Sequence, residues 1–157
     1  GEEGADYIGF GPLYATGTKP DYVPIGLSDI GEVHRRVSVP IFCIGGVNEE
    51  RLEEVLAAGA RRVVVIGSDL PWLEGGDLAA AFEALNRRSV VLGPANDGGY
   101  WLLGLRRPDP WLLGGVAWGS AQVLEQTLAV MAQRGLEPAL LTRRGDLDGG
   151  EDLRPWR

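Results

Sequence analysis

Three stretches in the first half of the chain close an apolar run with glycine and small hydroxyl residues. They are GFGPLYATGTKP at residues 9–20, IGGVN at 44–48 and VIGSD at 65–69. Thr16 and Thr18 offer two hydroxyl donors on one side of an extended loop, and Lys19 sets a point charge beside them. Gly45, Gly46 and Gly67 let backbone N–H groups approach an anion closely, and Ser68 adds a hydroxyl. That combination suits phosphate or diphosphate where the loops feed helix N-termini. The same glycines also suit tight strand-to-helix turns, and composition leaves both readings open. The acidic residues point to a second chemistry. Asp69 stands at a strand's carboxyl end, where a carboxylate can hold Mg²⁺ or Mn²⁺ or simply cap the next segment. Asp146 and Asp148 lie two apart, so an extended segment would point both the same way for a further metal contact. The alternative is a solvated acidic tail. Asp97, Gly98 and Gly99 would let backbone approach a sugar or phosphate, and they also read as a hairpin turn.

Positioning these residues calls for alternating strands and helices. The runs VPIFCIGGV (39–47) and RVVVIGS (62–68) are continuously apolar, which suits strands covered on both faces. DYIGFGPL (6–13) is a shorter candidate strand. In NEERLEEVLAAGA, Asn48 is the expected N-cap, Glu49 and Glu50 favour the first turn, and Gly59 is the stop. Leu52, Val55 and Leu56 make its apolar stripe. SDIGEVHRRV is a weaker helix because of Gly31. Repeated strand–helix–strand crossovers follow from this order. Further along, Asp77 is expected to cap LAAAFEALNRR, and strands follow at SVVLGP (89–94) and YWLLGL (100–105). Ser120 opens and Gly135 closes a clear helix, with Val123, Leu124, Leu128 and Met131 inward. PALLT (138–142) is the last expected strand.

Composition narrows the function classes. With 45% hydrophobic residues in 157, the chain can bury a core, and 24 Gly with 10 Pro stay below a low-complexity level. A net charge of −7 argues against a nucleic-acid partner held by bulk basicity. No apolar run approaches the roughly 18 residues of a membrane span. Cys43 is the single cysteine, so no internal disulfide is expected and a cytoplasmic setting fits. Cys43 reads as an inert core residue, His34 as exposed and without a catalytic role, and Trp101, Trp111 and Trp118 as packing. Trp72 reads as a cover for the sheet edge.

Residues 5–68 resemble the last third of thiamine-phosphate synthase, a (β/α)₈ barrel. The resemblance rests on GADYIGFGPLYATGTKP, PIG and VPIFCIGGVNEERLEEVLAAGARRVVVI. That enzyme joins a pyrimidine diphosphate to a thiazole phosphate, releases diphosphate and uses Mg²⁺. The resemblance implies that Thr16 and Thr18 lie at the thiazole-side phosphate and that Lys19, taken as catalytic, touches the diphosphate. It also implies phosphate donation from Gly45, Gly46 and the turn at Gly67 and Ser68. The family's upstream Gln/Arg/Lys cluster and Asp metal ligands are not in this sequence, so phosphate binding is expected here rather than complete synthesis.

From residue 63 onward the chain is similar to the C-terminal part of a glycosyltransferase-A-like family. VVVIGSDLPWL, VVLGPANDGGYWLLGL, WGSAQVLEQTL and DLDGGEDL carry the likeness. It implies a nucleotide-sugar or nucleotidyl transferase in which Asp69, Asp146 and Asp148 hold Mg²⁺ or Mn²⁺. Asp97 would act in catalysis, with Gly98 and Gly99 at the sugar or phosphate.

The sequence therefore reads as a chimeric α/β chain. A mostly parallel sheet with helices on both faces is expected, built from a partial (β/α)₈-barrel segment (1–68) and a partial glycosyltransferase-A-like segment (63–157). The two are expected to merge into one globular domain, with a homodimer partner as one way to complete the sheet. The expected ligand is a phosphorylated small molecule or nucleotide sugar, with no nucleic acid and no membrane. The activity implied is transfer with diphosphate release, ranked ahead of glycosyl or nucleotidyl transfer. A phosphate-binding module or scaffold without turnover is the third reading.

Overall fold

The computed structural model describes residues 8–11, 13–14, 23–38, 41–43, 51–57, 60–67, 70–107, 110–112, 114, 116–117 and 119–145. The chain divides into two compact units, Gly1–Arg61 and Arg62–Arg157.

In the first unit, strands β1 (Ile8–Phe10) and β2 (Ile41–Cys43) pair in parallel, with Ile8 opposite Ile41 and Phe10 opposite Cys43. A parallel pair needs a crossover, and helix α1 (Ser28–Arg36) supplies it, burying Ile30 despite the internal Gly31. Its Arg36–Glu32 ion pair is exposed on both sides and contributes little. Helix α2 (Leu52–Ala57) buries Val55, as its apolar spacing predicts. Tyr14, just beyond β1, is fastened to α2. Its hydroxyl donates to Glu54 at 2.8 Å, and the Arg51 guanidinium lies 4.0 Å over its ring. Asn48 and Gly59 lie outside the described residues.

The second unit is built on a four-stranded sheet ordered β3-β5-β4-β6. Its strands are β3 (Val63–Ile66), β4 (Val90–Pro94), β5 (Tyr100–Leu105) and β6 (Ala139–Leu140). The α/β class holds, but this sheet is mixed rather than mostly parallel. Only Ala95–Gly99 separate β4 from β5, too few residues for a crossover, so the two strands form an antiparallel hairpin. β5 then pairs antiparallel with β3, and β4 pairs in parallel with β6. Among the described residues, β1 and β2 make a separate two-stranded sheet.

Helix α3 (Gly75–Arg87) covers the second sheet with Ala81 and Leu85, both fully buried. A Cβ on Gly104 would stand 3.2 Å from Leu85, so this glycine marks where helix and sheet come close. Asp77 is not the N-cap expected from sequence. The helix opens earlier, at Gly75, and Asp77 reaches back three residues to accept the Glu74 N–H at 3.1 Å. Helix α4 (Val123–Gln133) buries Val123, Leu124, Thr127 and Met131. It ends at Gly135 (φ +67°): the Leu136 N–H bonds the Met131 carbonyl and the Gly135 N–H bonds the Ala132 carbonyl. The expected loop after β5 contains one 3₁₀ turn, Pro110–Leu112.

Candidate functional site

β3, β4 and β6 run the same way and β5 runs against them. The carboxyl ends of three strands therefore meet at one sheet edge, where open α/β sheets bind ligands. β3 leads into Gly67, Ser68 and Asp69, β4 into the Asn96–Gly99 turn, and β6 toward Asp146 and Asp148.

Four expected site residues on this edge are described, and the chain already uses several of their polar groups. The Gly67 N–H donates to the Trp101 carbonyl at 3.1 Å, extending the β3–β5 ladder. The Gly99 N–H donates to Asp97 Oδ1 at 2.9 Å, and the Gly99 carbonyl accepts the Ala95 N–H at 3.0 Å. These two N–H groups are thus satisfied within the fold. Gly98 adopts φ +94°, and its carbonyl accepts the Leu124 N–H at 2.9 Å at the entry to α4. Asp97 is exposed, with one carboxylate oxygen held in its own turn. Thr16, Thr18, Lys19, Gly45, Gly46, Ser68, Asp69, Asp146 and Asp148 lie outside the described residues. Among the described residues, no group of three or more His, Cys, Asp or Glu side chains is placed to hold a metal.

The edge also holds a cluster that sequence reasoning did not assign. The Arg144 guanidinium donates to Asp77 Oδ1 at 2.5 Å and stacks 4.8 Å from the Trp72 ring centre. Trp72 meets Trp101 edge-on, at 90° and 5.1 Å between centroids. Both indole N–H groups donate to the segment after β6: Trp72 to the Gly145 carbonyl, and Trp101 to the Thr142 carbonyl at 3.2 Å. Backbone bonds complete the attachment, from Arg144 N–H to the Pro94 carbonyl (3.0 Å) and from Asn96 N–H to the Arg144 carbonyl (2.9 Å). Residues 142–145, which immediately precede Asp146, are thereby fixed to the ends of β4 and β5. The sequence signals were an arginine two positions before the acidic pair and a tryptophan behind Pro71. Neither shows its partner without the sheet order.

A separate concavity of about 370 Å³ lies where β4 begins and β5 ends, lined by Ser89, Arg106 and Arg107. That is the opposite edge of the sheet from the Asn96–Gly99 turn and Arg144. In the first unit, burial followed by the hydrogen bond and charge of Glu54 pushes the Tyr14 phenol up to about 12, against the pull of Arg51. Burial also raises the Cys43 thiol, as expected for an inert strand cysteine.

Known proteins align with the two parts differently. Residues 1–68 match the family model for thiamine monophosphate synthase, and residues 46–120 match that of an uncharacterized protein conserved in bacteria (DUF2064). The chain resembles two families at once. The thiamine-phosphate synthase of Methanocella arvoryzae is 54% identical over 67 residues, covering 42% of this chain and 32% of that protein. That of Thermobifida fusca is 44% identical over 95 residues, covering 60% of this chain and 42% of its own length. The match to the Prochlorococcus marinus enzyme (strain MIT 9303), 48% identical, covers 19% of that protein. The chain thus spans about a third or less of the synthases from M. arvoryzae and P. marinus. Among solved structures, a nucleotide-diphospho-sugar transferase from Desulfovibrio desulfuricans G20 superposes with a TM-score of 0.63 at 26% identity. That match covers 90% of this chain and 60% of the other. The recognition of a thiamine-phosphate-synthase-like segment and a glycosyltransferase-like segment therefore holds. Among the described residues, no helix is long and apolar enough to cross a membrane.

Proposed function

We propose that this chain is a phosphate- or diphosphate-binding protein of transferase type, with residues 1–68 acting as a thiamine-phosphate-synthase-like phosphate loop region. The observation that carries the reading is the parallel β1–β2 pair, whose two strands lead into the TGTK and IGG segments. The 54% identity to a thiamine-phosphate synthase supports it. In this reading Thr16 and Thr18 donate hydroxyl hydrogen bonds, Lys19 supplies positive charge, and Gly45 and Gly46 supply backbone N–H groups. Their task is to stabilise charge on a departing diphosphate, the dominant demand of such a transfer. Mg²⁺ would add Lewis-acid stabilisation of the same charge. A cytoplasmic setting, and a homodimer whose second copy completes the sheet, belong to the same proposal.

A second reading has its own support. The convergence of β3, β4 and β6 at one carboxyl edge, with a nucleotide-diphospho-sugar transferase as structural neighbour, favours a nucleotide-sugar or nucleotidyl site there. Asp69, Asp146 and Asp148 would hold Mg²⁺ or Mn²⁺, with Asp97 and Gly98 beside the ligand.

Thermal unfolding with diphosphate, thiamine phosphate or a nucleotide diphospho-sugar, each with and without Mg²⁺, separates the two. A ligand at 100 times its Kd adds about 2.7 kcal/mol of apparent stability. Stabilisation lost in Lys19→Ala but kept in Asp69→Ala supports the first reading, and the reverse pattern with a Mg²⁺ requirement supports the second. No shift with any ligand would sink both.

A further inference from the structure

We propose that the concavity lined by Ser89, Arg106 and Arg107 is an anion site in its own right, taking a diphosphate group. It lies at the edge of the second sheet remote from the Asn96–Gly99 turn, and it depends neither on that edge nor on the loops of the first unit. The strand register builds it. Val63 and Val90 both stand opposite Leu105, the last residue of β5. One step further along, Arg62 and Ser89 flank Arg106, whose N–H donates to the Ser89 carbonyl at 3.1 Å. Arg87 and Arg88 stand at the same edge, where α3 gives way to β4. Arginines scattered in the sequence at 62, 87–88 and 106–107 are thereby gathered at one end of the sheet.

The charge at this edge is unbalanced and open to solvent. Arg62, Arg106 and Arg107 are all exposed. The Arg62 guanidinium donates to neutral acceptors, Asn86 Oδ1 at 2.9 Å and the Phe82 carbonyl at 3.2 Å, so it is positioned without being neutralised. That of Arg106 has no hydrogen-bond or ion-pair partner among the described residues. Arg88 faces Glu137 at 3.0 Å and Arg87 faces Glu83 at 3.2 Å, but both pairs are exposed and hold their partners weakly. Among the described residues of this edge, five arginines thus meet two carboxylates, in a chain whose net charge is −7. Like charges side by side across a ladder are destabilising, and a bound anion relieves that repulsion. Two guanidinium forks and a hydroxyl match the several oxygens of a diphosphate. The concavity, about 370 Å³, is of small-ligand size, and none of its three lining residues is apolar, which favours a compact anion over an uncharged ligand. The overall negative charge disfavours a nucleic acid there.

A site-resolved titration tests this. Inorganic diphosphate is added without Mg²⁺ to the full-length chain labelled with ¹⁵N, and the arginine Nε–H signals are followed by NMR, assigned through single variants. The Arg106 and Arg107 signals should move together and saturate with one Kd. Arg107→Gln, read at Arg106, should weaken that Kd at least tenfold, and Arg107→Lys, which keeps the charge but not the fork, should fall between it and the wild type. Ser89→Ala should weaken it severalfold. Lys19→Ala and Asp69→Ala should leave it unchanged, which separates this site from the two proposed above. Adenosine diphosphate should move the same signals: an equal Kd assigns the site to the free anion, a lower one to its esters, and either supports the proposal. Arg35 and Arg36, an exposed arginine pair on α1, supply the control for mere surface screening and should not saturate. The proposal is overturned if the Arg106 signal stays still at millimolar diphosphate, if Arg35 and Arg36 respond equally, or if Arg107→Gln leaves the Kd unchanged. Signals that move with duplex DNA but not with diphosphate would also overturn it.

Discussion

Gly98 and Ala121 approach so closely that a Cβ on the glycine would stand 2.0 Å from the Ala121 carbonyl oxygen. The β4–β5 turn is thereby locked against the entry to α4, and the Leu124 N–H bond to the Gly98 carbonyl adds a second tie. Gly98 also occupies φ +94°, a conformation that L side chains rarely adopt. Gly98→Ala should therefore destabilise the second unit by about 2–4 kcal/mol, from backbone strain and from overpacking against main-chain atoms. Urea unfolding followed by tryptophan emission measures it. A loss under about 0.5 kcal/mol would mean the turn and helix separate easily.

Asp97 has a structural task and a proposed chemical one, and isosteric replacement divides them. An asparagine oxygen can still accept the Gly99 N–H, so Asp97→Asn should stay within about 0.5 kcal/mol of the wild type. Asp97→Ala removes the acceptor and should cost about 1 kcal/mol. If the negative charge serves a ligand, Asp97→Asn should lose ligand-induced stabilisation while keeping its own. Unchanged ligand response in Asp97→Asn would confine Asp97 to the turn.

Local patterns explain which features were legible in the sequence. The helices announced themselves through apolar spacing and Gly135, and the strands through short apolar runs, because these signals lie within a few residues of one another. The mixed sheet was half legible. The Asn96–Gly99 turn demands a hairpin, but nothing local says that β5 inserts between β3 and β4. Glycine was the most ambiguous signal. Gly67 suits both an anion loop and a strand end, and its N–H serves the β3–β5 ladder, while Gly99, read both as a ligand-facing glycine and as a hairpin residue, gives its N–H to the Asp97 turn. Gly93 lies directly against the Trp101 indole, where a Cβ would stand 2.5 Å from the ring. The Arg144–Asp77–Trp72 cluster was invisible because Arg144 lies 67 residues beyond Asp77 and farther still from Trp72, and only tertiary contact joins them.

The Tyr14–Glu54 bond makes an alkaline prediction for the first unit. The folded phenol is raised from 10.0 to about 12, so the folded state favours the neutral, donating form. Its contribution should be complete below pH 10 and should disappear as pH rises from about 10 to about 12. In an absorbance titration at about 295 nm, one of the four tyrosines should ionise late, and Tyr14→Phe should abolish that late step. The unfolding free energy should fall more steeply across this window in the wild type than in Tyr14→Phe. Equal slopes would show that the bond to Glu54 does not persist in solution.

Thr127 offers a gain rather than a loss. It is 0% exposed inside α4, and its hydroxyl has no hydrogen-bond partner among the described residues. Valine has nearly the same shape and similar helix propensity but carries no polar group to desolvate. Thr127→Val should therefore raise stability by about 1 kcal/mol, or roughly 4–8 °C in the melting temperature of a unit this size. Thr127→Ala also removes the hydroxyl but opens a cavity beside Met131's turn of the helix, so it should fall below the wild type. The expected order is valine, threonine, alanine. If threonine proves more stable than valine, its hydroxyl finds a partner in solution and the site is polar by design.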